Sequence, residues 1–368
     1  MQALPPHLER ILNLARWSPS GDNTQPWRFE ILGDEHILVH GFDTRDHVVY
    51  DLDGHSSQLA VGALLETISI AASAEARSAS IQRRPDTPET HLLFDVHFQP
   101  KLGMTPDALV PHIETRTVQR RSMSTHTLSA EQKQTLAASL PEGYSVHWHE
   151  TLAQRWHMAK FMFACAKIRL TIPEAYTQHK SIIEWGAQFS DDKVPGQAVG
   201  VDPVTARFMR WVMASWQRVE FFNTFLLGHL PPRLQLELLP SLRCGAHFAL
   251  SAPAPLNSID DYLGAGRAMQ RFWLSAAKIG WFIQPEMTSV IFTRYHRRGI
   301  AFSKHAAALE MAGRLNERLA QIVGLAEIAR VYFVGRIGAG PKPIARSTRK
   351  TVAQLLMAPP HRQSDGVI

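Results

Sequence analysis

The sequence predicts an α+β fold, because helical and extended patterns both recur along its 368 residues. Apolar residues at helical spacing predict a short helix over 8–17 and a longer helix of small residues over 56–74. Two extended runs, 27–32 and 36–42, flank a Gly-Asp-Glu turn and predict a hairpin. A content of 45% hydrophobic and 20% charged residues is ordinary for a globular protein that buries a sizeable core.

The elements further along the chain begin with a strand. Residues 91–100 alternate apolar and polar side chains, which predicts a half-exposed strand. Ser129 as an N-cap, with Gln132 three residues later, predicts the start of a helix. Further helices are predicted over 151–180, 266–281 and 306–324, and a further strand over 331–334.

Composition and charge argue against several classes of function. Lys and Arg are scattered, so the net charge of +6 does not predict nucleic-acid binding. Cys165 and Cys244 predict neither a disulfide framework nor structural zinc, and they suit a cytoplasmic location. The first nine residues show no secretory pattern, so export is not indicated. His147 and His149 could share one face of a strand but lack a third ligand, so we predict no metal site.

An apolar segment over 208–230 is rich in Trp and Phe. Arg210, Arg218 and Glu220 interrupt it, which a membrane-spanning helix would tolerate poorly, so we expect no membrane span. The segment predicts two packed helices or a lid, with an interfacial helix as an alternative. The Gly-rich stretch 182–202 before it predicts a loop that could equally roof a site.

The most informative stretch is the loop 18–27, between a predicted helix and a predicted strand. Pro19 and Gly21 favour unusual turn geometry. Its hydroxyl and amide side chains belong to Ser18, Ser20, Asn23 and Gln25. Because buried polar groups need partners, such a loop is better suited to hold a planar, heteroatom-rich ligand than to fill a core.

The pattern Ser-Pro-Ser-x-x-Asn-x-Gln-Pro-Trp over 18–27 resembles the signature of the nitroreductase-like flavoprotein superfamily. Residues 266–287 are similar to the superfamily's flavin-facing helix and turn. The tail 336–350 is similar to its closing strand with a phosphate-binding arginine. The resemblance implies a nitroreductase-like fold and a bound FMN.

The order of the motifs departs from the ordinary members, which carry an Arg-rich motif before this signature and form intertwined homodimers. Only seventeen residues precede Ser18, and the Arg-rich motif stands downstream at 116–121, leading towards a helix. That order resembles the tandem, Acg-like branch. It implies two halves in an intrachain pseudo-dimer, with surrounding helices and central antiparallel or mixed sheets. The halves would span 1–110 and 111–368, with a helical lid at about 182–235 and one complete flavin site.

The resemblance also implies which residues bind the cofactor. They are Ser18, Pro19, Ser20, Asn23, Gln25, Arg116, Arg120, Pro285, Glu286, Met287, Arg346 and Arg349. Guanidinium groups bind phosphate oxygens in bidentate fashion, and in a helix Arg116 and Arg120 would share a face. The amide of Glu286 or Met287 would approach flavin N5. Val118 stands where the superfamily usually has a hydroxyl, which removes one phosphate contact.

The implied function is FMN-dependent transfer of a hydride or electrons between NAD(P)H and a small organic acceptor, nitroaromatic or quinone-like. No catalytic side chain is expected, because the flavin carries the chemistry. The alternatives are a flavin-sequestering protein without turnover, an FMN-dependent oxidase or dehydrogenase of a biosynthetic intermediate, and a scaffold that has lost its flavin. The chain would act as a monomeric pseudo-dimer or a higher homo-oligomer.

Overall fold

A computed structural model of the protein describes residues 4–357. The α-helices are α1 (Pro6–Ala15), α2 (His55–Ala74), α3 (Ala130–Ala138), α4 (Leu152–Thr171), α5 (Pro173–Ile182), α6 (Pro203–Val212), α7 (Trp216–Phe225), α8 (Leu230–Arg233), α9 (Leu239–Leu242), α10 (Ile259–Lys278), α11 (Thr288–Arg297), α12 (Ala306–Val323) and α13 (Val352–Leu355). The strands are β1 (Trp27–Gly33), β2 (His36–Phe42), β3 (Arg77–Arg83), β4 (His91–Pro100), β5 (Ser145–His149), β6 (Ile183–Glu184), β7 (Phe189–Ser190), β8 (Val194–Pro195), β9 (Ala246–Ser251), β10 (Phe282–Pro285), β11 (Val331–Gly338) and β12 (Arg346–Ser347).

Two four-stranded sheets share one topology. The first has the order β1-β2-β4-β3 and the second the order β5-β9-β11-β10, and neighbouring strands in both are antiparallel. In both sheets a long helix connects the second strand to the third in chain order. This helix is α2 for the first sheet and α10 for the second. The predicted α+β fold with two like halves in one chain is therefore confirmed. The boundary between residues 110 and 111 stays a prediction.

The sheets differ in how they are covered. One face of the first sheet packs on α1 and α2, so side chains along β4 alternate between buried and partly or fully exposed. The second sheet is covered on both faces, by α10 on one side and by α4, α11 and α12 on the other. Every residue of β9 and β11 is accordingly buried. Strands with two covered faces show no polar alternation.

Segments that follow each sheet reach the other one. Val118 bridges in parallel to Ile283 of β10, and Leu356 bridges in parallel to Phe29 of β1. The amide of Met357 donates to the Phe29 carbonyl at 2.8 Å. The exchange ties the two halves together, and it carries residues 116–120 along the edge of the second sheet.

Helices α2 and α10 touch through glycines. A Cβ on Gly62 of α2 would lie 2.2 Å from the carbonyl oxygen of Leu263, and a Cβ on Gly266 of α10 would lie 2.2 Å from that of Leu59. No side chain fits at such distances, so glycine is required for the backbones to approach this closely. This crossing is where the two halves pack.

Among residues 4–357, one helix is long and apolar enough to cross a membrane. It is α2, with a mean hydropathy of 1.3, and 89% of the apolar window is buried inside the protein. Its composition follows from its place in the core, since a helix that is apolar all round is commonly buried on every side.

The helix crossing predicts a large cost for added side-chain volume. Gly62→Ala and Gly266→Ala should each lower the free energy of unfolding by about 1–3 kcal/mol, because the methyl group forces the helices apart. Gly264→Ala, in the same helix, is the matched control, since its nearest neighbour is the movable Tyr144 hydroxyl at 2.9 Å. There we expect no loss, or a gain of up to about 1 kcal/mol from helix propensity. Urea unfolding measures all three, and equal stabilities would contradict the close contact.

Candidate functional site

A cavity of about 410 Å³ has walls contributed by both halves. They come from the loop before β1, the start of α2, the segment 116–120, the turn 284–288 and the tail 345–349. This volume lies in the range of pockets that bind small molecules and cofactors. The segments that the sequence singled out therefore meet in one place.

The cavity wall includes ten of the twelve predicted cofactor residues. These are Pro19, Ser20, Asn23, Arg116, Arg120, Pro285, Glu286, Met287, Arg346 and Arg349. Ser18 and Gln25 lie behind the wall and are fully buried. Gln25 Nε2 donates to the Asp191 carbonyl at 2.7 Å, and its Oε1 accepts from the Lys350 amide at 3.0 Å. Gln25 thus fixes the loop to two distant segments.

The loop holds three non-glycine residues in the left-handed region. Asp22, Asn23 and Gln25 have φ values of 52°, 63° and 48°, whereas Gly21, expected to supply the unusual geometry, is not among the positive-φ residues. Each such residue costs on the order of 1–3 kcal/mol and persists only when its surroundings enforce it. Here the Ser20 hydroxyl accepts from the Gln25 amide at 3.0 Å. Strain of this kind concentrates at binding sites.

Three arginines converge at one end of the cavity. Their hydrogen bonds go to backbone carbonyls: Arg116 to Trp17 at 3.1 Å, Arg346 to Glu114 at 2.8 Å and Arg349 to Ser18 at 3.0 Å. Burial, followed by repulsion from the two other guanidinium groups, lowers the pKa of Arg116. Burial and repulsion from Arg346 lower the pKa of Arg349 to about 9. Cations that disfavour one another in this way form a site for an anion.

Several buried polar atoms in the cavity wall have no partner among residues 4–357. They are Nε of Arg116, Arg336 and Arg346, Oδ1 of Asn23 and Oε1 of Gln284. Buried polar atoms in native proteins are satisfied in the large majority of cases. The unpartnered atoms of the wall therefore favour binding of a polar ligand with anionic and hydrogen-bonding groups.

The Arg-rich segment lies beside β10 and is not helical, so the expected shared helical face is wrong. At a strand rise of about 3.3 Å per residue, the backbones of Arg116 and Arg120 are separated by about 13 Å. Arg116 belongs to the arginine cluster. Arg120 lies further along the cavity, donates to the Ala198 carbonyl at 3.3 Å, and is attracted by the carboxylate of Asp22. The two arginines thus serve different ends of an elongated cavity.

The turn after β10 leaves one of its two predicted amides free. The Glu286 amide donates to the Val334 carbonyl at 2.8 Å, so it cannot also bind a ligand. Met287 is the N-cap of α11, and both Met287 and Thr288 line the cavity. Amides at a helix start have no partner within the helix and favour a negative or acceptor group.

The floor of the cavity contains a fully buried charged triad. Glu286 accepts from His247 Nδ1 at 2.8 Å and from Arg336 at 3.2 Å. His247 Nε2 faces the Ser241 carbonyl at 2.9 Å, and since both ring nitrogens meet acceptors, both carry protons. Burial lowers the pKa of His247, but Glu286 outweighs burial and raises it to about 10. Two cations share one carboxylate, so the floor is positively charged.

Another part of the cavity wall contains polar residues that sequence reasoning missed. Arg169 of α4 pairs with Glu237, which lies in the π-helical turn Leu234–Leu238. The Tyr50 hydroxyl lies 2.9 Å from His179 Nε2 of α5. Burial, and then Arg169, lower the pKa of His179 to about 3, so its ring is neutral. No local sequence pattern marks this group, because it forms only when four separate segments pack together.

The roof is formed by the Gly-rich loop and not by the aromatic segment. Ile182, Ile183, Val194, Ala198 and Val199 line the cavity from above. Within the described chain, the lining does not include any residue of 208–230.

Among residues 4–357, one group of side chains could hold a metal ion, and it does not include His147 or His149. It comprises His36, Asp95 and His97 on the open face of the first sheet, with ligand atoms within 4.8 Å of one another. Arg84 already holds both carboxylate oxygens of Asp95, at 2.7 and 2.8 Å. The rings of His36 and His97 stack at 3.9 Å. Both arrangements compete with metal binding, so we assign no metal there.

The charged His247 predicts a pH-dependent contribution to stability. Because its folded pKa of about 10 exceeds the reference value of 6.5, the contribution is complete below pH 6.5 and is lost as the pH rises towards 10. The free energy of unfolding of the wild type should exceed that of His247→Gln most at pH 6.5, and the difference should shrink by pH 10. Urea unfolding across this range measures it, with exposed His97→Gln as the control. A constant difference would contradict the doubly protonated ring.

Part of the chain matches a known protein family. The model of the nitroreductase family matches residues 5–140. Among curated proteins, the uncharacterized protein MT1398 of Mycobacterium tuberculosis (strain CDC 1551 / Oshkosh) is 22% identical over 366 residues, covering 97% of this chain and 49% of the relative. The uncharacterized protein Rv3127 of M. tuberculosis (strain ATCC 25618 / H37Rv) is 35% identical over 96 residues, covering 25% of this chain and 28% of the relative. The chain thus spans about half the length, or less, of these relatives.

A solved structure, the nitroreductase-like family protein from Bacillus cereus, is 11% identical, with a TM-score of 0.35 over 70% of this chain and 98% of that one. The family match covers the loop 18–27 and the first sheet, and the second sheet repeats the topology of the first. Residues 5–140 of this chain are thus similar to the nitroreductase family.

Proposed function

We propose that this protein is an FMN-dependent oxidoreductase that transfers electrons from NAD(P)H to a small nitroaromatic or quinone-like acceptor. The observation that carries the proposal is the cluster of Arg116, Arg346 and Arg349. Within the described range 4–357, the buried Nε atoms of Arg116 and Arg346 have no partner, and the cluster stands at one end of a cavity walled by the loop 18–27. This donor set suits a phosphate that is attached to a larger polar ligand.

The arginine cluster fits the phosphate of FMN in charge and in hydrogen bonding. A phosphate dianion would offset the mutual repulsion of the guanidinium groups, and it would accept from the free Nε–H groups of Arg116 and Arg346. Val118, between the two ends, adds no hydroxyl. Phosphate affinity would therefore depend on the arginines.

The remaining wall fits a flavin ring. Such a ring presents an N–H group and several acceptor atoms, and the wall offers both complements. In the part of the chain that the structure describes, the side-chain oxygens of Asn23 and Gln284 and the Nε of Arg336 have no partner. The amide of Met287 has no backbone acceptor there either. The positive floor around Glu286 would favour negative charge on the ring.

FMN, when bound, supplies the hydride and electron transfer. The residues of the chain bind and orient it: the arginines hold the phosphate, the strained loop and the turn 284–288 hold the ring, and the roof loop limits access of water. The neutral His179 and Tyr50 also line the cavity, and an acceptor would bind beside them.

The competing functions lose specific support. A permanent aromatic lid, which would favour flavin storage, is not part of the cavity wall, since the roof is the loop 182–202. A scaffold without flavin would leave the polar atoms of the wall unsatisfied at an energetic cost. Oxidation of a biosynthetic substrate fits the same site. The identity of the electron donor, NAD(P)H or that substrate, distinguishes the reductase from the oxidase.

The phosphate assignment predicts a loss of FMN affinity. Arg116→Ala combined with Arg349→Ala should raise the FMN dissociation constant by about 100-fold or more, since each charge-assisted contact contributes roughly 1.5–3 kcal/mol. Quenching of FMN fluorescence on titration measures the affinity. Arg314→Ala changes an arginine whose side chain is 62% exposed on α12, and it should leave affinity unchanged. Equal affinity in the double variant and the wild type would refute the phosphate site.

The electron-transfer step predicts a colour change. Protein loaded with FMN should lose its visible flavin absorbance when NADH or NADPH is added anaerobically, and a quinone or nitroaromatic should restore it. Stopped-flow absorbance follows both phases. If the bound flavin stays oxidised with both donors, the reductase proposal fails, and substrate oxidation or storage remains.

A further inference from the structure

The helices α6 and α7, here called the α6–α7 hairpin, bury none of their residues. Their outer surface is an apolar patch made of exposed side chains at helical spacing. The patch consists of Val204, Phe208, Trp211, Phe221, Phe225, Leu226 and Leu227. Contiguous exposed apolar surface of this kind marks a site of interaction, whereas single exposed apolar residues need no explanation.

The apolar patch is preformed. The Phe222 ring packs edge-on against Phe208 at 5.3 Å and Trp211 at 5.7 Å, which joins the two helices. Phe221 packs against Phe225 at 5.2 Å. The aromatic rings therefore form one surface and need little rearrangement to bury it.

The orientation of the hairpin is fixed by its inner side. Ala206 and Met209 pack on a small apolar cluster that includes Val199 and Val201. The Asn223 side chain donates to the Leu170 carbonyl at 2.8 Å. Because these contacts hold the inner side against the body of the protein, the apolar patch faces outwards.

Leu227 supplies an independent observation. It lies just after α7 with φ of 51°, a conformation in which helix ends strongly favour glycine, and the next residue is Gly228. A left-handed leucine costs roughly 1–2 kcal/mol, and this one is 56% exposed. A glycine at position 227 would avoid this cost and make the folded protein more stable. The strained leucine instead extends the apolar patch beyond the helix, where a binding partner could bury it.

The charge around the apolar patch indicates what covers it. Residues 203–227 contain Arg207, Arg210 and Arg218 but only one acidic residue, Glu220, and all four are exposed. At 3.6 residues per turn, Arg207 and Arg210 flank the stripe of exposed apolar residues on α6. Aromatic residues on one side with arginines alongside are typical of helices in a membrane interface, where the guanidinium groups meet lipid phosphates.

We propose that the α6–α7 hairpin docks this protein on the surface of an anionic lipid bilayer, with both helices lying in the interface. Ten residues in a helix extend about 15 Å, half of the bilayer's hydrocarbon thickness, so the hairpin cannot span it. A second copy of the chain fits less well, because a two-fold interface through this patch would crowd the arginines of both copies together. The proposal does not depend on FMN binding.

Vesicle co-sedimentation of the whole protein tests the docking. Wild-type protein should bind vesicles of phosphatidylcholine with phosphatidylglycerol, and should bind phosphatidylcholine alone more weakly. Phe221→Asp with Phe225→Asp should weaken binding at least about tenfold, because two exposed rings no longer enter the interface. Arg207→Gln with Arg210→Gln should weaken binding to the anionic vesicles and reduce its salt dependence.

The matched control is Leu102→Asp with Leu325→Asp, which changes two exposed leucines outside the hairpin and should bind vesicles like the wild type. Circular dichroism verifies that each variant is folded. No binding of the wild type to anionic vesicles would overturn the proposal, as would equal loss in the control. A concentration-dependent dimer that Phe221→Asp with Phe225→Asp dissolves, without vesicle binding, would overturn it in favour of a second copy.

Discussion

The contact between α2 and α10 through Gly62 and Gly266 is the constraint on which the rest of the structure depends. It sets the distance between the two halves, and each helix also contributes to the cavity wall. Leu59 comes from α2, while Met269 and Trp273 come from α10. A wider crossing would move these walls apart together with the loop and the arginines that they position. Two glycines thus fix both the pseudo-dimer and the width of its cavity.

Buried charge is distributed unevenly through this frame. Two buried arginines pair with carboxylates, Arg294 with Asp53 at 2.7 Å and Arg336 with Glu286 at 3.2 Å. Removing one partner of such a buried pair is strongly destabilising. Arg116 is also buried, yet it donates to a backbone carbonyl, as does the partly buried Arg349, whose charge helps to lower the pKa of Arg116. The contrast within one protein is what favours an anionic ligand at that end of the cavity.

Much of this architecture could be predicted from local sequence, and the failures have physical causes. The polar loop 18–27 and the long helix of small residues are local patterns, so their elements follow from the sequence. Strand β3 escaped prediction because Arg77–Arg83 is largely polar and pairs at a sheet edge. The free amide at Met287, the triad around His247 and the wall at Tyr50 depend on tertiary packing. The spacing of residues along the chain cannot show which backbone amides are already hydrogen-bonded to another strand.

The aromatic segment 208–230 contributes side chains to two different surfaces of its helices. A continuous apolar stretch suggested a lid, but its helices present one side to the protein and leave the other exposed. On the inner side, Met209 packs near Val199, which itself lines the cavity. The cluster on which the hairpin packs therefore also contributes to the roof of the site. If the hairpin docks as proposed, the same apolar cluster would connect the docked surface with the roof that controls access to the cavity.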